Sequence, residues 1–381
     1  MRTWQALLLS LALGACATPP AVDRVDRLFH DHLFAAASER MSADDVFAVN
    51  AAMKRYLRVE IAEQLESKGR QQGLYDALYS KGQLKLQYDS TITRNAVEAF
   101  EARSGNCLSL VIMTAALAKQ LGLVVRYQRV FSEESWSRSG DLYFSSGHVN
   151  ITLGRKSGDP RVLFSNERNL LTIDFIPLRR NAVHHAFEIR ERTVAAMFMS
   201  NRAAESLAQG RIDDAYWWAR AAIGQDPGFL SAYNTLGVIY RHHGNLREAE
   251  QALAHVLALE PANTHVMSNL ALVFKDQGRA VEAEALLRRL AAIEPHPPFH
   301  FFNRGLEAMR AGDYATARDL FAKEVDRDAY YHEFHFWLSA AYFGLGEVKL
   351  ARRHLAIALE NSPTRGEHDL YAAKLARIGR N

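Results

Sequence analysis

The chain has 381 residues, enough for two ordinary domains, with 48% hydrophobic and 23% charged residues as in soluble globular proteins. A formal net charge of +3, with no dense Lys/Arg tract, argues against a nucleic-acid partner. Only two cysteines are present, Cys16 and Cys107, so a disulfide framework is excluded.

The N-terminus carries one early arginine, Arg2, followed by an apolar run from Ala6 to Leu13. That run is too short to span a bilayer and has the proportions of a secretory signal. It ends in Leu13-Gly14-Ala15-Cys16, which resembles the bacterial lipobox. The resemblance implies removal of a signal peptide, residues 1–15, and lipidation of Cys16. The next residue, Ala17, is not the aspartate associated with inner-membrane retention. The expectation is therefore a bacterial cell-envelope protein, lipid-anchored in the outer membrane and facing the periplasm. The plain alternative is ordinary cleavage nearby, with Cys16 incidental. Lipidation would leave Cys107 as the sole thiol of the mature chain, unable to form an internal disulfide.

Residues 16–190 read as a mixed α and β domain. From Ala21 to Glu66 the pattern is helical; Ser42 and Asp45 form a variant capping box, and Val46, Val49, Met53, Tyr56 and Leu57 keep helical spacing. Further helices are expected in QQGLYDALYS and RNAVEAFEAR. A third begins near Asn106. Leu108, Val111, Ile112 and Ala115 share one face while Leu110 and Leu117 lie off it, the mark of a helix buried all round. Gly122 suits its C-terminal turn. LVVRYQRVF and GHVNITLG follow with strand character, and in the second His148 falls on the polar face. In LLTIDFIP, Asp174 interrupts an apolar run; a carboxylate there needs a partner, and a histidine on a neighbouring strand would serve. NAVHHAFEIRERT reads as a helix leading onward, which makes His184 and His185 weak rivals to His148.

Cys107 at a helix start, His148 on one strand and Asp174 on the next have the chemistry of a nucleophile, a base and an orienter. A helix N-terminus and an imidazolium both favour a thiolate. The histidine takes the thiol proton and returns one to the leaving group, while the aspartate fixes its tautomer. The Cys107 N–H is a natural oxyanion donor, and Gln87 or Tyr88 would supply a second. Taken singly, each has an ordinary structural role: a small buried hydrophobe, a surface histidine, a turn-former. No Cys, His and acid cluster has metal-ligand spacing, so no metal or other cofactor is expected.

The segments TRNAVEAFEARSGNCLSLVIMTAALAKQLGL, GHVNITL and TIDF resemble the transglutaminase-like superfamily, whose core is papain-like. Arg103, Gly105 and Cys107 match its Arg-x-Gly-x-Cys setting, whereas Asn106 and Leu108 stand where family members often carry an acidic residue. The resemblance implies a catalytic triad of Cys107, His148 and Asp174 that hydrolyses or transfers an amide bond through a thioester. The alternative is a retired enzyme serving as a non-catalytic scaffold.

The C-terminal half repeats. Pro227, Pro261 and Pro295 are 34 residues apart, as are Gly210, Gly244, Gly278, Gly312 and Gly346, and Ala215, Ala249, Ala283, Ala317 and Ala351. This step resembles the tetratricopeptide repeat. The unit AYNTLGVIYRHHGNLREAEQALAHVLALEP fits best, and the first, with Ala203 and the bulky YWWARAA, fits poorly. Five repeats over 196–363 and a capping helix over 364–381 are expected, an all-α solenoid following the α+β domain. Its concave face would include Val238, His242, Leu272 and Leu306, with Asn234, Arg241, Lys275 and Phe302 as residues binding a protein or peptide partner. The other reading of these positions is contact with the neighbouring domain or solvent.

Overall fold

The computed structural model describes residues 25–79, 86–89, 92–139, 142–154, 170–175, 185–362 and 364–378. The leader, Cys16 and His184 lie outside them. Single 3-10 turns at Asp26–Leu28 and Asp31–Leu33 open the described chain. The helical pattern expected through Glu66 is broken into α1 (Ala43–Val46), α2 (Ala51–Arg55), a π turn (Tyr56–Glu60) and α3 (Ala62–Lys68). Asn50 causes the first break: it is extended, and its side chain accepts from Met53 N at 2.9 Å, starting a new helix. Ser42 caps α1 through Asp44 N rather than through a box with Asp45.

Helix α4 (Arg70–Tyr79) precedes the short strand β1 (Gln87–Tyr88). Asn95 and Glu98 form a full capping box at the start of α5 (Ala96–Ala102). Arg103, at φ 51°, then turns the chain into β2 (Ser104–Gly105), which pairs parallel with β1. Helix α6 (Cys107–Gln120) is buried continuously from Cys107 to Ala118, as a helix apolar on all sides must be. Gly122, at φ +71°, ends it.

Strands β3 (Val124–Ser139), β4 (Leu142–Gly154), β5 (Leu171–Ile173) and β6 (His185–Ile189) form an antiparallel sheet in the order β5-β4-β3-β6. β6 replaces the helix expected in NAVHHAFEIRERT. The free edge of β3 offers an unsatisfied backbone, and pairing from Tyr127↔Ile189 to Phe131↔His185 outweighs local helix preference. The helix begins only at Glu191. Both faces of β4 are covered from His148 to Leu153, so the polar face read from its alternation is buried as well.

Helical hairpins follow: α7 (Glu191–Ala208) with α8 (Ile212–Gln225), α9 (Leu230–His243) with α10 (Leu246–Leu259), and α11 (Thr264–Asp276) with α12 (Ala280–Ile293). Then come α13 (His300–Arg310) with α14 (Tyr314–Arg327), α15 (His332–Gly344) with α16 (Val348–Glu360), and α17 (Arg365–Ile378). The glycine between the helices of each pair has a positive φ, from 75° to 89°, which a side chain would strain. The repeated alanines are all fully buried where two helices meet.

The misfit first repeat has a structural reason. Its large residues hold the segment that precedes α1. Phe34 stacks on Tyr216 at 4.0 Å and 5°. Trp217 Nε1 donates to the Ala35 carbonyl at 2.7 Å, and Trp218 Nε1 donates to Glu39 at 2.9 Å. Tyr240 of the second repeat donates to the Leu28 carbonyl at 2.7 Å. One hydrophobic core therefore runs from Leu28 through α6 and the sheet to Val273. A second core begins at Phe299 and a third joins Leu355 and Ala358 to Tyr371. The first hairpins thus belong energetically with the α+β region, not with the end of the array.

Candidate active site

Cys107 is the first residue of α6 and only 7% exposed. Asn106 sets up that start: its side chain accepts from Ser109 N at 2.9 Å and from Ser109 Oγ at 2.8 Å. Gly105 is needed for the approach, since a Cβ there would lie 2.6 Å from Ser109 Cβ. At the first helical position the Cys107 N–H has no intrahelical acceptor, and the helix dipole is positive at this end.

His148 stands on β4, 7% exposed. Asp174 lies one residue beyond β5, because the strand ends at Ile173. The register pairing Ile151 with Ile173 turns Asp174 to the same sheet face as His148 and Asn150. His148 Nε2 meets Asp174 Oδ1 at 2.7 Å and Oδ2 at 2.8 Å. The Cys107 side chain lies close enough to the imidazole to help raise its pKa. With Nε2 engaged by the carboxylate, Nδ1 is the nitrogen left for sulfur. Burial alone would lower the His148 pKa. The hydrogen bonds and negative charge of Asp174 and Cys107 outweigh it and raise the value to about 9.

The three residues singled out in the sequence thus lie close together, with His148 bonded to Asp174 and Cys107 near enough to influence the imidazole. Gln87 and Tyr88 form β1, whose backbone runs beside residues 104 and 105, just ahead of Cys107. His185 stands on β6, at the sheet edge beyond β3. Two features were not legible. Asn150, on the face of His148, has a buried Oδ1 with no hydrogen-bond partner among the described residues. Thr93 is 1% exposed and gathers hydrogen bonds from Asn106 and from α7. Among the described residues no group of three or more His, Cys, Asp or Glu could hold a metal, and no helix is long and apolar enough to cross a membrane.

On the hairpins, Asn234 accepts from Asn269 at 2.9 Å, and Arg241 pairs with Asp276 at 2.6 Å, so both tie α9 to α11. Lys275 is exposed. Phe302 corrects its expectation: it is completely buried against Phe321 and Phe334 and presents no surface to a partner.

Models of the tetratricopeptide repeat match residues 240–300 and 302–365. The chain carries tetratricopeptide repeats. As a class such repeats bind protein or peptide partners. Both matches lie C-terminal to the sheet and its cysteine. Solved structures similar to part of this chain include MamA, 18% identical over 47% of this chain and 96% of that one, with a TM-score of 0.25. A thermophilic TPR protein of Thermus thermophilus is 17% identical over 49% and 100% of the two chains, TM-score 0.31. PilF of Pseudomonas aeruginosa is 20% identical over 50% and 87%, TM-score 0.31. Comparison with curated proteins gives no match.

Proposed function

We propose that this chain is a cell-envelope lipoprotein whose N-terminal α+β domain is a transglutaminase-like cysteine hydrolase or acyl transferase, its repeats holding a protein or peptide partner. The observation carrying the reading is that His148 hydrogen-bonds Asp174 while Cys107, at the start of α6, lies close enough to help raise the imidazole pKa. In this reading the histidine holds the thiol proton and Cys107 acts as thiolate. Sulfur attacks the carbonyl carbon of an amide, and charge moves to the carbonyl oxygen, facing the N-terminus of α6. The C–N bond then breaks, and the His148 imidazolium gives its proton to the departing nitrogen. Water, deprotonated by His148, attacks the thioester; the C–S bond breaks and an acid is released. An amine in place of water yields a new amide. Asp174 keeps the imidazole in the productive tautomer throughout.

Exposing the full chain to a library of glutamine-containing peptides and quenching with acid is expected to leave an acyl group on Cys107. It adds the mass of the peptide less ammonia for a side-chain amide, or of the N-terminal fragment less water for a backbone amide. A library that returns intact, with no adduct on Cys107, would overturn the catalytic reading.

The lipid anchor rests on Leu13-Gly14-Ala15-Cys16. Acyl chains contribute about 0.8 kcal/mol per buried methylene, so several chains hold a protein on a bilayer. In a bacterial host, Cys16→Ser is expected to move the protein from the membrane fraction to the soluble one. Retention of the variant in the membrane fraction counts against lipidation.

A further inference from the structure

The loop before Cys107 is fastened to the repeat array. Asn106, which caps α6, donates from Nδ2 to Thr93 Oγ1 at 2.9 Å. The same oxygen accepts from Asn201 Nδ2, on α7, at 3.1 Å. Thr93 N donates to Glu205 Oε1, one turn further along α7, at 2.7 Å. The Thr93 hydroxyl oxygen thus accepts two hydrogen bonds, one from each side, while the Thr93 N–H is held by α7. Thr93 is 1% exposed and Ser109, the other partner of Asn106, is fully buried, so water does not substitute readily for these bonds. On the far side, Arg202 lies 4.0 Å from Glu205 and 3.4 Å from Glu39. Glu39 in turn accepts from Trp218. Ser109 Oγ, held by Asn106, accepts from Arg94 N at 2.8 Å, which closes the loop 92–94 onto α6.

We propose that Asn201 and Glu205, on the first helix of the repeat array, are positioning residues for Cys107, acting through Thr93 and Asn106 to hold the start of α6 in register with His148. This rests on the reading of Cys107 as nucleophile. A cap alone does not need Thr93, because Asn106 Oδ1 already satisfies Ser109 N. The amide end of Asn106 could otherwise turn to any acceptor. Thr93 fixes it, and α7 fixes Thr93. A thiol displaced by even an ångström from its base loses much of its reactivity.

The test is the rate of Cys107 carboxamidomethylation by iodoacetamide, followed by peptide-resolved mass spectrometry on the full chain across pH. Thr93→Val, Asn201→Leu and Glu205→Ala are expected to slow the reaction at neutral pH by roughly tenfold and to shift its pH profile toward that of an ordinary cysteine. Thr93→Ser keeps the bridging oxygen and is expected to keep the wild-type profile. A merely structural role would lower the thermal midpoint while leaving the profile of the folded protein unchanged, and that result overturns the coupling. If Thr93→Val does not fold, Asn201→Leu, at a half-buried helix position, decides alone. Should the wild-type profile depend on His148 while these variants overlay it, the coupling fails and the nucleophile reading stands. Should the wild-type profile ignore His148→Ala, the nucleophile reading fails and takes the coupling with it.

Discussion

Alkylation of Cys107 is expected to fall by roughly thirtyfold at neutral pH when His148 is replaced by alanine, because an unassisted cysteine is only a few per cent thiolate there. In the native protein the imidazole is hydrogen-bonded to Asp174, and the influence of Asp174 and Cys107 raises its pKa to about 9. The wild-type rate should therefore be nearly flat across neutral pH, with the His148→Ala rate climbing toward alkaline pH until the two converge. The sign of the stability effect follows from the same shift. The histidine is raised above its ordinary value near 6.5. Its contribution is complete below that value and is lost as pH rises through about 9. The thermal midpoint of the wild type should fall toward that of His148→Ala over this window. Asp174→Asn removes the charge but keeps a hydrogen-bonding shape, so its alkylation profile should lie between the two. Overlapping profiles for wild type and His148→Ala would mean that the geometry around Cys107 does not activate it.

The repeat region was legible because its signals are backbone requirements. A positive φ at Gly244 or Gly278 and a buried helix contact at Ala249 or Ala283 restrict the residue type directly, at a constant step. The start of α6 was readable for a similar reason, since Asn106 caps locally. What escaped depends on residues distant in sequence. Asn50 restarts a helix in the middle of a periodic apolar pattern, and one capping side chain outweighs that periodicity. β6 exists because β3 presents an edge, which its own residues do not announce. YWWARAA departs from the repeat pattern because its large side chains hold Phe34, Ala35 and Glu39, which lie far from it in sequence. Thr93 lies 108 residues from Asn201, and nothing in the local sequence of either points to the other. Asp174 was legible as a carboxylate in need of a partner, but its position just past the end of β5 is a matter of strand pairing.

Phe302→Ala is expected to destabilise the end of the array by about 3–5 kcal/mol, the usual cost of emptying a buried phenylalanine site. By repeat register Phe302 corresponds to Asn234, a half-buried position that faces a partner helix, which is why it reads as part of a groove. Two departures turn it inward. Pro298 stands where α9 and α11 begin, and α13 starts later, at His300, after Phe299 at φ 60°. Glu324 of α14 accepts from both Phe301 N and Phe302 N, at 2.9 and 3.1 Å, drawing the helix start against its partner. Arg304, in the register of the buried Leu236, is exposed, so the core there lacks its usual leucine. Phe302 fills it, packed among Phe299, Phe321 and Phe334. Gly305 lets the Phe321 ring come close enough to complete the cluster, since a Cβ there would lie 2.5 Å from the ring. This cluster is separate from the core that contains α6 and the sheet. Hydrogen exchange should therefore show faster opening from α13 to α15 in the variant, with protection of α6 and β4 unchanged. A variant with wild-type protection throughout, and a weakened peptide interaction instead, would return Phe302 to the surface role that its register implies.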